Sequence, residues 1–404
     1  MREEPSTMKK NDILIIAVYS NIEAYPPSLN AIALLSERFD HIYVLHRNVL
    51  RSAWEYPSNV ILISFGDYVH AEEIYKLSFI KKIRFYIGFG KALRKLIDDY
   101  KPSLFLVYDP IAFAIANLFV SNRKIQQLTF WYHNHDVLNE NELSRTSLMW
   151  WMRKAELHYF QRADYFTLPT KQRLVYFPIE KLRNPAVILP NYPSLKLFSR
   201  GKNVSKNSEI LRLVFQGQIG ASNAIDIFIN ILPFQVLSRN IELHLAGPVS
   251  ESYKKQLLEL SNLLNVSSQI IFYGRLPYSQ LPAVTSACHI GIAIYRGNKT
   301  MVKTMSTASN KIFEYASAGL PVIINKREDM QIEFASNKWI KFISLETPEL
   351  LAALTDLVDH YDHYSQQAKF DFNNSLNFEN HFVPFVNSIN FKKQIPLNLN
   401  KFHK

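Results

Sequence analysis

The 404-residue sequence contains a single cysteine, Cys288, so no disulfide framework can organise it and a reducing compartment is the natural setting. Cys288 falls in the apolar stretch Ala287–Ile294, where a small buried hydrophobe is expected rather than a reactive thiol. Glycine is scarce at 11 residues, while aromatics reach 13%. No apolar run approaches the ~18–20 residues that a membrane span requires. The first dozen residues, MREEPSTMKKND, lack the apolar core of a signal peptide. These absences lead to the expectation of a cytoplasmic protein, soluble or peripheral on the inner face of the cell membrane. His and Asp are scattered without ligand spacing, and no Asp-x-Asp sits where a strand would run into a loop, so neither metal nor other cofactor is expected. Apart from an Asn/Lys-rich tail from Lys392 onward, nothing is low in complexity.

What is present is an ordinary globular balance, 48% apolar and 20% charged, with a net charge of +11. The length suits two domains of roughly 150–200 residues each. A basic surface favours anionic partners such as lipid headgroups, nucleic acid or phosphorylated substrates. Nucleic acid is not expected, because no recognisable binding module accompanies the charge. The excess concentrates in Lys76–Lys101, where eight basic residues oppose two acidic ones and alternate with Phe79, Ile80, Ile83, Phe85, Ile87 and Phe89. Such a basic aromatic helix suits an anionic membrane surface, with Trp150-Trp151 beside Arg153-Lys154 as a second anchor. The alternative is a packing helix whose charges are merely solvated.

Strand-like and helix-like segments alternate along the whole chain. Ile13–Tyr19 is a continuous apolar run of the kind buried on both faces of a sheet. Ser28–Phe39 follows with helical spacing, and Ile42–His46, Val60–Ser64, Leu104–Tyr108, Leu128–His133 and Tyr165–Leu168 read as further strands. Pro190–Pro193 is a turn cluster, and Ser199–Ser208 reads as a polar linker. The pattern then restarts with strands at Leu211–Gln216, Ile241–Ala246, Ile270–Tyr273, Ile290–Ile294 and Pro321–Ile324. Helices are expected from about Asn223, over 251–264, 278–286 and 309–318, and in about 360–395. Alternation of this kind predicts α/β architecture with doubly wound parallel sheets. The expected domains are 1–195, completed by a helix in 375–404, and 196–374. Ligands of such sheets sit beyond the carboxyl ends of strands, which places the expected site in a cleft between the two.

The most informative stretch is Ser309–Ile324, SNKIFEYASAGLPVII. Ser309 or Asn310 can cap a helix whose first-turn amides form an anion site, and Lys311 adds a full charge. Glu314 lies one turn on and can accept hydrogen bonds from a ribose diol. The segment resembles the sugar-nucleotide motif of GT-B glycosyltransferases, in particular the retaining family 4 (glycosyltransferase group 1). The match runs through Ser309, Asn310, Lys311, Phe313, Glu314 and Tyr315. Gly274-Arg275-Leu276-Pro277, Leu245–Pro248, Ala163-Asp164 with Pro169-Thr170, and Val187–Asn191 are similar to other family elements in the same order.

The resemblance implies two Rossmann-like domains facing across a cleft. It implies a UDP- or GDP-sugar donor and a glycan or lipid-linked acceptor, as in bacterial surface polysaccharide assembly. It assigns donor binding to Ser309, Asn310, Lys311, Glu314, Gly217, Gln218, Arg275 and Leu276. His135, Asp136 and Lys311 would be catalytic, and Asn21 and His133 would lie on the acceptor side. The sequence also departs from the family. Gln218 and Asn223 stand where members commonly carry Arg and Lys against the phosphates, and Ser306 stands where many carry Glu. The loop Tyr19–Pro27 has no glycine. Phosphate charge therefore falls to Lys311, with Lys303, Lys299 and Arg296 in support. The same departures motivate an alternative, a non-catalytic GT-B module that binds carbohydrate or a partner.

Overall fold

In the computed structural model of the chain, the apolar runs of the first half pair into one parallel sheet. Its strands are β1 (Ile13–Val18), β2 (His41–Arg47), β3 (Val60–Phe65), β4 (Leu104–Tyr108), β5 (Thr129–His133), β6 (Tyr165–Leu168) and β7 (Val187–Ile188). Their order is β3-β2-β1-β4-β5-β6-β7. The second half repeats the plan with β8 (Ile210–Gln216), β9 (Gln235–Val236), β10 (Arg239–Ala246), β11 (Ile270–Gly274), β12 (Ile290–Ala293), β13 (Val322–Asn325) and β14 (Ile340–Ile343). The order there is β11-β10-β8-β12-β13-β14, with β9 antiparallel on β10. Each sheet thus reverses its winding once, between β1 and β4 and between β8 and β12. Such switch points are where doubly wound sheets bind ligands.

The structure describes residues 12–49, 54–69, 73, 76–198 and 209–392; the linker Ser199–Ser208 and the tail after Lys392 lie outside them. The chain divides into two compact units, Met1–Leu189 with Phe382–Lys404, and Pro190–His381. The end of the chain joins the first unit through side chains. Phe385 packs edge-on against Trp131 at 4.9 Å, and the Asn390 amide donates to the Tyr165 hydroxyl at 2.7 Å.

The runs fold as they do because the central residues of the inner strands are apolar on both faces. Leu14, Ile15, Ile16, Leu104, Phe105, Leu213, Phe215, Ile290 and Ile292 are fully buried. Burial of a side chain of this size stabilises by about 1.5–3 kcal/mol. Cys288 is buried as expected, and its thiol is pushed up to about 12 by burial, so it stays protonated. The helix expected from Asn223 begins later, at Ile225, because Ala224 takes a left-handed turn with φ 52°.

The basic segment forms the helix Phe79–Tyr100, started by Ser78, whose hydroxyl accepts from the Lys81 amide. It is anchored from Phe85 onward, by Phe85 under the Arg47 guanidinium, Tyr86 against Tyr19, and buried Phe89, Gly90, Leu93 and Ile97. In the first half Phe79 and Ile80 are 57% and 64% exposed, beside exposed Lys81 and Arg84. Arg153 corrects the expectation of a second basic anchor: its guanidinium is buried, ion-paired with Glu156 at 2.6 Å and stacked over Phe177. Lys154 is paired with Glu140, which leaves Trp151 exposed without a free cation from this pair beside it.

A glycine and a tyrosine hold the second switch point together. A Cβ at Gly291 would stand 2.2 Å from the Tyr315 ring. That close approach lets the Tyr315 hydroxyl donate to the Ile292 carbonyl at 3.1 Å and accept from the Gln216 amide at 3.0 Å. Gly291→Ala is expected to destabilise the protein by about 1–3 kcal/mol through overpacking at this junction. A urea denaturation midpoint equal to that of the parent would refute the staple.

Candidate functional site

At the carboxyl ends of β8 and β12 the second unit gathers Gln216, Gly217, Tyr295, Lys311 and Glu314. The backbone loops after β8 and β10 are laced by Gly217 N–H to the Ala246 carbonyl at 2.9 Å and Ile219 N–H to the Pro248 carbonyl at 2.9 Å. Gly247 permits this, since a Cβ there would fall 1.8 Å from the Gly217 carbonyl oxygen. Opposite lies the start of the helix Asn310–Ser317, whose first-turn amides have no intrahelical partner. Ser309 precedes them but does not cap; its hydroxyl is bonded to the Tyr295 hydroxyl. The amides are thus left for an outside anion.

Lys311 points its ammonium over the Phe215 ring, 3.9 Å from the centroid, and within 5.4 Å of the Tyr295 ring. No carboxylate pairs with it among the described residues. Burial pulls its pKa down to about 7, with Glu314 opposing. Glu314 is 3% exposed. It accepts from Gln216 Nε2 and from the Tyr278 hydroxyl. Burial pushes its carboxyl up to about 7 despite these donors and Lys311. A cation without an anion and an acceptor without a cation therefore share one helix turn. A phosphate on the first and a diol on the second would satisfy both.

Other sequence-predicted donor residues separate by exposure. Gly217 and Gln218 are exposed, with Gly217 beside the Lys311 ammonium. Arg275 is exposed and Leu276 half-buried after β11, while Tyr278, just beyond them, reaches Glu314. The Asn310 side-chain oxygen is buried without a partner. Asn223 serves its own loop: its oxygen accepts from the Gly220 amide at 3.0 Å and its nitrogen donates to the Ile294 carbonyl at 3.2 Å. Ser306 is fully buried, and Arg296, Lys299 and Lys303 are exposed. Sequence reading missed Gln216, Tyr278, Thr285 and Tyr295. The one available signal was a glutamine closing the otherwise apolar end of β8, LVFQ.

The first unit has its own cluster at the ends of β4 and β5. Trp131 Nε1 donates to Thr167 Oγ1 at 2.7 Å, and Thr167 lies 2.7 Å from His133 Nδ1. His133 Nε2 meets His135 Nδ1 at 3.2 Å, and His135 Nε2 meets Ser28 Oγ at 2.8 Å. The indole donates to Thr167, and both ring nitrogens of each imidazole lie within hydrogen-bonding distance of a partner. Burial depresses both, His133 to about 3, so neither carries charge at neutral pH. His135, sandwiched between Tyr25 and Tyr108, offers no free ring nitrogen to a sugar in this arrangement.

Asp109 organises the loop beneath. It sits at φ 66°, an uncommon conformation for a residue with a side chain. Its Oδ1 accepts from the His135 and Asp136 amides at 2.7 and 3.1 Å, and its Oδ2 is buried without a partner. Burial and neighbouring Asp136 raise its pKa well above the usual carboxylate range. Asp136 is half-buried, 3.5 Å from the Tyr25 hydroxyl, and also raised by burial. Buried Arg173 donates to the His135 carbonyl. Asn21 is 2% exposed and caps the turn Ile22–Ala24 by accepting from the Glu23 amide at 2.7 Å, so its side chain shapes its own loop. A cavity of about 380 Å³ beside Asp164 and Lys392 lies at the opposite, amino ends of the strands and holds none of these groups.

Residues 211–358 match the family described as Glycosyl transferases group 1. The match lies wholly within the second unit. Solved GT-B structures extend the likeness over both units. Sucrose-phosphate synthase from Thermosynechococcus elongatus superposes with a TM-score of 0.67 at 12% identity, over 93% of this chain and 98% of that one. HepE of Anabaena, solved with UDP-glucose, gives 0.63 at 12% identity, over 93% and 100%. WaaG, a glycosyltransferase involved in lipopolysaccharide biosynthesis, gives 0.59 at 12% identity, over 92% and 98%. No curated protein sequence matches the chain. The fold is GT-B, and the group 1 match supports glycosyltransferase activity. Both Lys311 and Glu314 lie inside the matched residues.

The two shifted groups make the site costly to the fold. Glu314 rises above its ordinary 4.5, so its penalty grows from about pH 4.5 to about 7; Lys311 falls below 10.5, so its penalty grows as pH drops from 10.5 to about 7. At pH 7 both are felt. Lys311→Met should therefore raise the Tm of the ligand-free protein at pH 7, with the gain fading toward pH 10.5. A lower Tm at pH 7 would contradict the uncompensated charge.

Proposed function

We propose that this protein transfers a sugar from a nucleotide-sugar donor, UDP- or GDP-linked, to a glycan or lipid-linked acceptor, with retention of configuration. The observation that carries the donor half is the Lys311 ammonium, without an anion, beside the uncapped helix start and one turn from Glu314. Lys311 and the first-turn amides take the diphosphate, and Glu314 takes the ribose diol. Uridine is the first nucleotide to try, given the UDP and UDP-glucose bound to the HepE structures.

In the proposed step the bond from the anomeric carbon to the diphosphate oxygen breaks. A bond from the acceptor hydroxyl forms on the same face, and the acceptor proton passes to the departing diphosphate. No protein nucleophile is needed, and no metal is invoked. Lys311 and the amides stabilise the charge that develops on the leaving group. Among the described residues no group of three or more His, Cys, Asp or Glu is placed to hold a metal. Half-buried Asp136 offers a carboxyl group of the kind that suits sugar hydroxyls, and His135 would serve one only by giving up its bond to Ser28 or His133.

Surface polysaccharide assembly on the cytoplasmic face of a bacterial membrane is the proposed setting. It is supported by the lipopolysaccharide role of WaaG and by the partly anchored helix Phe79–Tyr100, with Phe79, Ile80 and Ile87 exposed among basic residues. No helix among the described residues is long and apolar enough to cross a membrane.

Two measurements test the reading. UDP or GDP should raise the Tm of the protein, and Glu314→Ala or Lys311→Ala should abolish that rise. If neither nucleotide binds and no UDP- or GDP-sugar is consumed, the non-catalytic alternative motivated by Gln218 and Asn223 takes its place. In flotation assays the protein should rise with phosphatidylglycerol vesicles but not with phosphatidylcholine vesicles, and Lys81→Glu with Arg84→Glu should release it. Equal recovery on both would end the membrane proposal.

A further inference from the structure

Glu314 does not hold its own place. No ion pair reaches its buried carboxylate among the described residues. Two neutral donors fix it instead, Gln216 Nε2 on Oε2 and the Tyr278 hydroxyl. The Gln216 amide could face Glu314 with either end, and the ionised carboxylate, which can only accept, selects the NH2 end. Gln216 Oε1 is then left to the Thr285 hydroxyl at 2.8 Å, whose single proton also has the Leu281 carbonyl within reach at 2.9 Å. Gln216 is itself 2% exposed at the last position of β8, and its backbone N–H is tied to Tyr315, on the helix that bears Glu314. A buried primary amide at the end of an apolar strand is costly unless both ends are satisfied. Here both are, and one is committed to the carboxylate.

We propose that Gln216, supported by Thr285, is the positioning residue that aims Glu314 at the nucleotide ribose, fixing Oε2 so that the remaining acceptor lone pairs meet the diol. The proposal rests on the reading that Glu314 holds the ribose. It explains why a glutamine closes β8, where an apolar residue would continue the strand pattern. Gln216 touches no substrate in this account and acts only through Glu314. Removing it should therefore matter only to ligands that carry the ribose hydroxyls. Gln216 is also a donor that favours the ionised carboxylate, so its loss should move the ionisation of Glu314 further upward.

The test is calorimetric titration of the full-length protein with UDP and with 2′,3′-dideoxy-UDP, repeated with the guanosine pair if GDP is the nucleotide that binds. Gln216→Met should weaken UDP about tenfold, the scale of one hydrogen bond to a charged group, and leave the dideoxy nucleotide unchanged. The rising limb of UDP affinity against pH should also move to higher pH. Thr285→Val should shift both readings in the same direction by less, and it serves alone if Gln216→Met does not fold. Equal weakening of the two nucleotides, or UDP affinity and pH profile unchanged in both variants, would overturn the positioning role. Failure of the underlying reading is separately visible, as UDP and GDP binding that Glu314→Gln leaves intact.

Discussion

The Lys311 ammonium lies against two aromatic rings, and no carboxylate among the described residues forms an ion pair with it. A cation in that position is tolerated because the rings and nearby Glu314 offer partial compensation and because its pKa falls toward neutrality. The surroundings follow from keeping it there. Gly217 leaves room beside it, Gly247 lets the neighbouring loop approach within hydrogen-bonding distance, and Ser309 turns its hydroxyl to Tyr295 rather than covering the helix start. Glu314 is the mirror case, a carboxylate held by neutral donors. The site stores unfavourable electrostatics that an anionic, hydroxyl-bearing ligand would relieve, a common trade of stability for function.

The first unit reaches its polar cluster by a different route. Its histidines sit in a hydrogen-bonded chain that runs from an indole to a serine. Its strain is carried by the backbone of Asp109, and oxygens of Asp109 and of neighbouring Asn134 are buried without a partner. Where the second unit poises charges, this cluster fixes neutral groups and shape. Both clusters occur at the carboxyl ends of strands flanking a reversal of sheet winding, as the topology requires.

Much of this was legible in the sequence because buried parallel strands leave continuous apolar runs. Leu104–Tyr108 and Tyr165–Leu168 could be read to the residue. The short strand Val187–Ile188 was not, since two residues carry no pattern. Lys311 and Glu314 were legible from order and spacing on one helix. Gln216, Tyr278 and Thr285 were not, because they approach Glu314 from three elements far apart in sequence. Arg153 was misjudged for a related reason: a charged residue beside two tryptophans reads as surface, and only the fold brings Glu156 and Phe177 to it. His135 took its assigned catalytic role from the family resemblance alone, and the sequence gives no sign that tertiary packing engages both of its nitrogens.

The central claim is that one ligand satisfies an unpaired lysine and an unpaired glutamate together. A sugar diphosphonucleotide such as UDP-glucose has no ionisation of its own near pH 7, so proton exchange on binding reports these two groups alone. Calorimetry at pH 7 in buffers of different ionisation enthalpy measures it directly. Glu314 should release a fraction of a proton and Lys311 take one up, giving a net near zero. Glu314→Gln should then bind with net uptake and Lys311→Met with net release, if weakly. Binding of UDP-glucose or GDP-mannose with a proton count that neither substitution changes would contradict the account.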